Sequence, residues 1–159
     1  MYRTPGSDPI ADQTKATYRF SVLGRPECQL IGTGNQEGVA TDHRNYTVAS
    51  AALADPWLAG TGFQAGDTIA DGVGYEWQGI IAGCIAQPIT NFFHYDSTVN
   101  NGVTFGPADV TRYTADSGAR VFSASSLQFT WALDDFLTDR AADARVQQFV
   151  RNALADVLR

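Results

Sequence analysis

The sequence predicts an α/β domain, a mixed sheet packed by helices, with α+β as the alternative. Three observations carry this expectation. Several short segments alternate apolar and polar residues, which is the period of a strand. Two such segments flank Asp116-Ser117-Gly118, the pattern of a β-hairpin. Near the C-terminus Val146, Phe149, Val150, Ala153, Leu154, Val157 and Leu158 recur at three- and four-residue spacing, a wide apolar stripe along a helix.

Residues 1–16 are rich in Pro, Asp, Thr and Gly and read as an irregular lead-in or linker, so the domain proper spans 17–159. Tyr18, Phe20 and Val22 alternate as in a strand, and Pro26 forbids a central-strand position just after it. Glu27 to Gly32 is expected to be a second short extended piece, and Gly34 to Asn45 a polar loop. Tyr46 to Leu53 suits a short helix or strand. Asp55-Pro56-Trp57-Leu58 opens a helical turn, with Asp as the cap and Pro where a missing N–H costs nothing. The stretch from Ala59 to Asp67 is too glycine-rich to be regular. Val73 to Trp77 and Ile89 to Tyr95 read as strands, with a glycine-interrupted apolar run, Ile80 to Ile85, between them. Ser97 to Pro107 is a turn built on Asn-Asn-Gly. The hairpin strands are Asp109 to Ala115 and Ala119 to Ala124. Ser125 or Ser126 caps a short helix through about Leu133, and Thr138 or Asp139 caps the last one, with Asp143 in its first turns. Phe122, Phe129, Trp131 and Phe136 are expected in the core.

A chain of 159 residues suits one domain, and 44% hydrophobic against 18% charged residues is a globular composition. The net charge is −6, and Lys15 is the single lysine. Nucleic-acid binding needs a dense cationic face, which this sequence does not supply, and an anionic membrane surface is disfavoured for the same reason. No apolar run of about 18 residues marks a membrane span. Met1 is followed by Tyr-Arg-Thr-Pro-Gly, with no apolar region of a secretory signal. Low lysine with abundant Ala, Asp and Arg points to a GC-rich bacterial genome. The expected setting is bacterial cytoplasm, or secretion as part of a larger protein. Cys28 and Cys84 are each expected to be a small buried hydrophobe, and pairing is left open, because sequence alone cannot place their Cα atoms within bridging distance. There is no CxxC or Cys/His cluster, so no metal site is expected in this chain.

Several residues carry potential chemistry. Glu76 lies between Tyr75 and Trp77 on an expected strand, where partial desolvation would suit acid/base work; the bland alternative is an exposed strand Glu. His94 and Asp96 share a strand face at i, i+2, so a carboxylate orients an imidazole or both bind a metal; the alternative is an exposed polar pair. Gly60, Thr61 and Gly62 form a loop whose backbone N–H groups suit substrate or anion binding, or a tight turn needing positive φ. His43, between Asp42 and Arg44, is expected in a solvent-exposed loop. Ser125 follows a strand and precedes a helix, but Ser123 and Leu127 stand where a nucleophile elbow needs glycines.

Three segments together carry a family resemblance. They are Leu58-Ala59-Gly60-Thr61-Gly62-Phe63-Gln64-Ala65-Gly66-Asp67, then Val73-Gly74-Tyr75-Glu76, then Asp116 through Asp134 with its Ser-Gly-Ala-Arg-Val-Phe-Ser-Ala core. Val146-Gln147-Gln148 and Asn152-Ala153-Leu154-Ala155-Asp156 add to them. In combination they resemble the C-terminal region of N,N-dimethylformamidase large (beta) subunit-like proteins, from about Tyr18 to the end of the chain. Phe63 stands where relatives carry Leu, and Ser125-Ser126-Leu127 replaces a Gly-containing triplet. The resemblance implies a layer structure similar to part of a class I glutamine amidotransferase-like fold. It implies hydrolysis of a small amide at a mononuclear iron whose Tyr, His and Glu ligands lie upstream of the matching region. This chain then holds no cofactor itself, and its partners are upstream domains of the same protein or a sister subunit. Glu76, on the family's Gly-Tyr-Glu motif, is assigned by the resemblance a supporting active-site role such as proton shuttle. Two rival readings stand beside this one. One is a non-catalytic binding or structural module of a multidomain extracellular bacterial protein. The other is a self-sufficient cluster of His94, Asp96 and Glu76.

Overall fold

The computed structural model describes residues 26–100, 103–135 and 141–158. The lead-in at 1–16, the strand expected around Tyr18, Phe20 and Val22, and Phe136 lie outside the described residues. Among those described, a single helical turn α1 (Cys28–Ile31) leads into β1 (Thr33–Val48), β2 (Thr68–Ile80), β3 (Thr90–Tyr95), β4 (Thr98–Asn100), β5 (Val103–Phe105), β6 (Ala108–Thr114), β7 (Arg120–Ser123) and the helix α2 (Ala144–Val157). Short 3-10 turns at Pro56–Leu58 and Leu127–Ala132 punctuate the connections.

Five strands form one sheet in the order β2-β1-β3-β6-β7, and β4-β5 is a separate two-stranded hairpin. Every pairing among the described strands is antiparallel. Helices and strands are both present, as expected. The mixed sheet is corrected to an antiparallel one, and the glutamine amidotransferase-like layering is not supported, because parallel strands require crossover connections and the described residues contain no helical crossover between strands. The two outer strands approach each other: Trp77 of β2 bridges Ser126 just beyond β7. The Gln78 N–H donates to the Ser125 carbonyl at 2.8 Å. The sheet thus curls towards a barrel.

Local chemistry explains the departures from the sequence reading. The Glu27–Gly32 segment is helical rather than extended, because Gly32 (φ 79°) closes the turn and its N–H bonds the Cys28 carbonyl at 2.9 Å. The polar stretch 34–45 belongs to β1, because it is paired with β2 at Gly34, Asn35, Val39, Ala40 and Arg44, with register shifts between these pairs. Strand formation follows pairing more than composition. Within the expected Ser97–Pro107 turn, Thr98–Asn100 and Val103–Phe105 pair as antiparallel strands. At Pro56–Leu58 the Asp55 carboxylate accepts the Trp57 N–H at 3.0 Å, the expected cap. At α2 the cap is Asp143, which accepts the Arg145 N–H at 2.9 Å. Thr138 and Asp139 lie outside the described residues.

One face of the sheet carries an aromatic core. Trp57 stacks on Phe92 at 5.4 Å, and Phe149 of α2 meets Phe92 and Phe93 edge-on at 5.0 Å each. All four are essentially inaccessible. The expected stripe of α2 is only half buried: Val146, Phe149 and Ala153 point inward, whereas Leu154, Val157 and Leu158 are exposed. Phe129 is in the core and Phe122 packs against it, but Trp131 is partly exposed.

On the other face Tyr113 lies beneath α1, its hydroxyl donating to the Leu30 carbonyl at 2.6 Å. Ile85 and Ile89 pack near Gly32 beside it. Here Cys28 and Cys84 form a disulfide with Cα atoms 5.9 Å apart, so the two are bonded and not merely small hydrophobes. The bond spans 56 residues. Chain-entropy reasoning gives such a loop about 4 kcal/mol. Replacing both cysteines by serine is expected to lower unfolding free energy by about 2–4 kcal/mol. Equilibrium denaturation with and without reductant checks this, since the double variant should be indifferent to reductant.

Candidate functional site

The Gly74-Tyr75-Glu76-Trp77 segment lies on β2, as expected, but it is not a regular strand. Tyr75 has φ 64°, and the β1–β2 register shifts between Ala40/Tyr75 and Arg44/Val73. A regular strand alternates its faces. Here Gly74 and Trp77 are buried while Tyr75 and Glu76 are both exposed. Trp77 turns into the core and donates its indole N–H to the Gly106 carbonyl at 2.9 Å. Glu76 is thus an exposed strand glutamate, the bland alternative, within this domain. Gly74 is fixed by close packing: a Cβ there would lie 2.1 Å from the buried Gln128 Oε1. The Gly74 N–H and carbonyl are both bonded by the Ser126 hydroxyl at 3.1 Å.

A second cluster forms at the β3–β6 pair. The register passes from Asn91↔Thr111 to Phe93↔Val110, so β3 carries a bulge at Phe92. The extra residue sends Phe92 and Phe93 both into the core and puts Asn91 in phase with His94. Opposite them stands Asp109, 3% exposed. Its carboxylate accepts from the Ile80 N–H at 2.8 Å, Asn91 Nδ2 at 2.6 Å and His94 Nδ1 at 2.5 Å. His94 Nε2 lies 2.8 Å from Asp96 Oδ1. The expected His94–Asp96 pair thus forms, and a buried third member joins it that sequence reasoning did not single out. The only signal for Asp109 was an acidic residue at the head of an apolar strand. Burial opposes the charge on His94, but hydrogen bonds to Asp109 and Asp96 and their negative charges outweigh it, so the imidazole pKa is held above its ordinary value.

The remaining candidates sit apart from this cluster. Gly60 (φ 69°) and Gly62 (φ 80°) make a tight turn, and the buried Thr61 hydroxyl donates to the Leu58 carbonyl and accepts the Phe63 N–H. His43 lies on β1 rather than in a loop, half-buried with its ring edge-on to Trp131 at 5.4 Å. Ser125 has φ 61°, and its hydroxyl is engaged by the Asp109 carbonyl. Unforeseen from sequence is Arg44, whose guanidinium lies 4.8 Å from the Phe105 ring centre and donates to the Tyr95 hydroxyl at 2.7 Å.

The iron implied by the resemblance finds no fit among the described residues, which contain no group of three or more His, Cys, Asp or Glu side chains able to hold a metal ion. Both ring nitrogens of His94 already face carboxylates. No helix among the described residues is long and apolar enough to cross a membrane.

Two outcomes follow. Gly74→Ala forces Gln128 to move and is expected to destabilise by about 1–3 kcal/mol. Urea unfolding measures this, and combining it with Gln128→Ala should recover part of the loss. For His94 the folded pKa is raised, so its contribution to stability is complete below the ordinary value of 6.5 and fades as pH rises through the folded value. The urea midpoint is expected to decline over that window, and His94→Gln should flatten the decline.

No curated protein matches this chain. A family model matches residues 1–144, nearly the whole sequence up to the start of α2. On that match the chain belongs to the family described as N,N-dimethylformamidase beta subunit-like, C-terminal.

Proposed function

We propose that this domain forms one wall of an amide-hydrolase site and brings Glu76 to it as a proton-transferring acid. The site is completed by upstream sequence of the same protein or by a sister subunit. The observation that carries this reading is the positive φ at Tyr75, which turns a phenol and a carboxylate outward together from a strand that would otherwise bury one of them. A neighbour docked over this face would exclude water and put Glu76 within hydrogen-bond reach of a small amide. The iron that the family resemblance implies belongs, on this reading, to ligands upstream.

The exposure of Glu76 favours a second reading, a non-catalytic binding or structural module that keeps the fold and not the chemistry. One experiment separates the two. In the protein that carries the upstream domains, Glu76→Gln should lower kcat for amide hydrolysis by about 10²–10⁴-fold with iron content unchanged. Unaltered turnover in that variant would leave the module reading standing and remove Glu76 from the chemistry.

A further inference from the structure

His94 touches two carboxylates at once, Asp109 Oδ1 through Nδ1 at 2.5 Å and Asp96 Oδ1 through Nε2 at 2.8 Å. An ionised carboxylate can only accept, so each contact needs an N–H on the ring. Neutral imidazole has one N–H and imidazolium has two. Both contacts therefore coexist only while the cluster holds the additional proton. When it leaves, one contact must break. Asp109 is buried, with a side chain 4% exposed, and is pinned by the Ile80 N–H and Asn91 Nδ2, whereas the Asp96 side chain is 92% exposed. The yielding contact is the outer one.

We propose that His94 is a surface acid/base site whose single-proton loss releases Asp96 and uncovers Nε2, with Asp109 as the positioning residue that keeps the remaining proton on Nδ1. The imidazolium gives its Nε2 proton to solvent or to a protic ligand, and the bare Nε2 lone pair takes one back, so the cycle balances without a co-reactant. The groups on the elements packed against His94 and its partner Asp109 fit this assignment. Asp96 lies just beyond the end of β3, the strand that carries His94, and Asp109 lies on β6. From β2 comes the Ile80 N–H. Tyr46 of β1 is buried and its phenol is held well above its ordinary pKa, by burial first and by the Asp109 charge second. The raised pKa of His94 agrees in direction. Asp96 is also the first residue of the connection to the β4–β5 hairpin. None of this rests on Glu76, and the assignment stands or falls apart from the amide-hydrolase reading.

The test is a nitrogen–proton correlation spectrum of the histidine rings of the ¹⁵N-labelled chain, followed from about pH 5 to pH 10. His43→Gln assigns the two histidines. Both ring nitrogens of His94 should be protonated at the acid end. Above the transition the proton should remain on Nδ1, the reverse of the tautomer that free histidine favours. Asp96→Asn should lower the transition and leave the Nδ1 tautomer. Asp109→Asn should lower it and move the neutral-state proton to Nε2. A wild-type neutral ring protonated at Nε2, or a transition at or below 6.5, overturns the assignment. Retention of the Nδ1 tautomer in Asp109→Asn overturns the positioning role. Should that variant fail to fold, the wild-type tautomer and Asp96→Asn still decide the matter.

Discussion

The structure is governed by one demand: an antiparallel sheet of five strands has two faces to cover, and the described residues offer one long helix to cover them. Helix α2 takes one face, inserting Phe149 among Trp57, Phe92 and Phe93. The sheet answers for the other by curling until β2 meets the segment beyond β7 at the Trp77–Ser126 bridge. Inside the curl the seam is polar. Thr33 Oγ1 lies 2.9 Å from Ser123 Oγ and donates to Gln78 Oε1 at 3.1 Å, and Asp109 receives the Ile80 N–H. Satisfied polar groups of this kind specify one register, because any slip would leave buried donors without acceptors.

The helix side is held by a hub of charge at its margin. Asp156 accepts from the Trp57 indole N–H at 3.0 Å and from Arg120 Nε at 3.1 Å, and Arg112 reaches it at 3.7 Å. Arg112 also pairs with Asp55 and lies over the Trp57 ring at 4.8 Å. Asn152 closes the last gap by donating to the Trp57 and Ala59 carbonyls. Burial pulls the helix in, and these directional contacts fix its rotation about its own axis. That division explains why Leu154, Val157 and Leu158 stay outside despite their helical spacing. The stripe is wide enough for either rotation, and Asn152 and Asp156 choose between them.

How much of this was legible in the sequence depended on whether the deciding interaction was local. The Asp55 cap, the hairpin around Asp116-Ser117-Gly118 and the periodicity of α2 are encoded within a few residues, and all three are present. Strand β1 was not legible, because its polar middle is extended only by pairing with β2. Helix α1 was hidden because four residues leave no periodicity to detect. Asp109 was hidden because its role depends on a bulge at Phe92 that shifts Asn91 into phase with His94, and no local pattern announces a bulge. Of the candidate site, the His94–Asp96 contact followed from alternation, whereas the exposure of Glu76 did not, because alternation fails at Tyr75.

That failure has a physical origin in the closure itself. A tyrosine at φ 64° is held in a conformation costing on the order of 1–3 kcal/mol, and something must over-determine it. Ser125, at φ 61°, lies across the same seam, where its carbonyl takes the Gln78 N–H and the next residue bridges Trp77. Two residues in left-handed geometry, one on each side of the junction, are what bring β2 and the end of β7 to hydrogen-bonding distance while Gln128 fills the space over Gly74. The irregular backbone is thus a requirement of closing the sheet and is not by itself a sign of chemistry. What distinguishes this closure is what the irregularity turns outward, the side chains of Tyr75 and Glu76, and it is on these that the proposed amide-hydrolase reading depends.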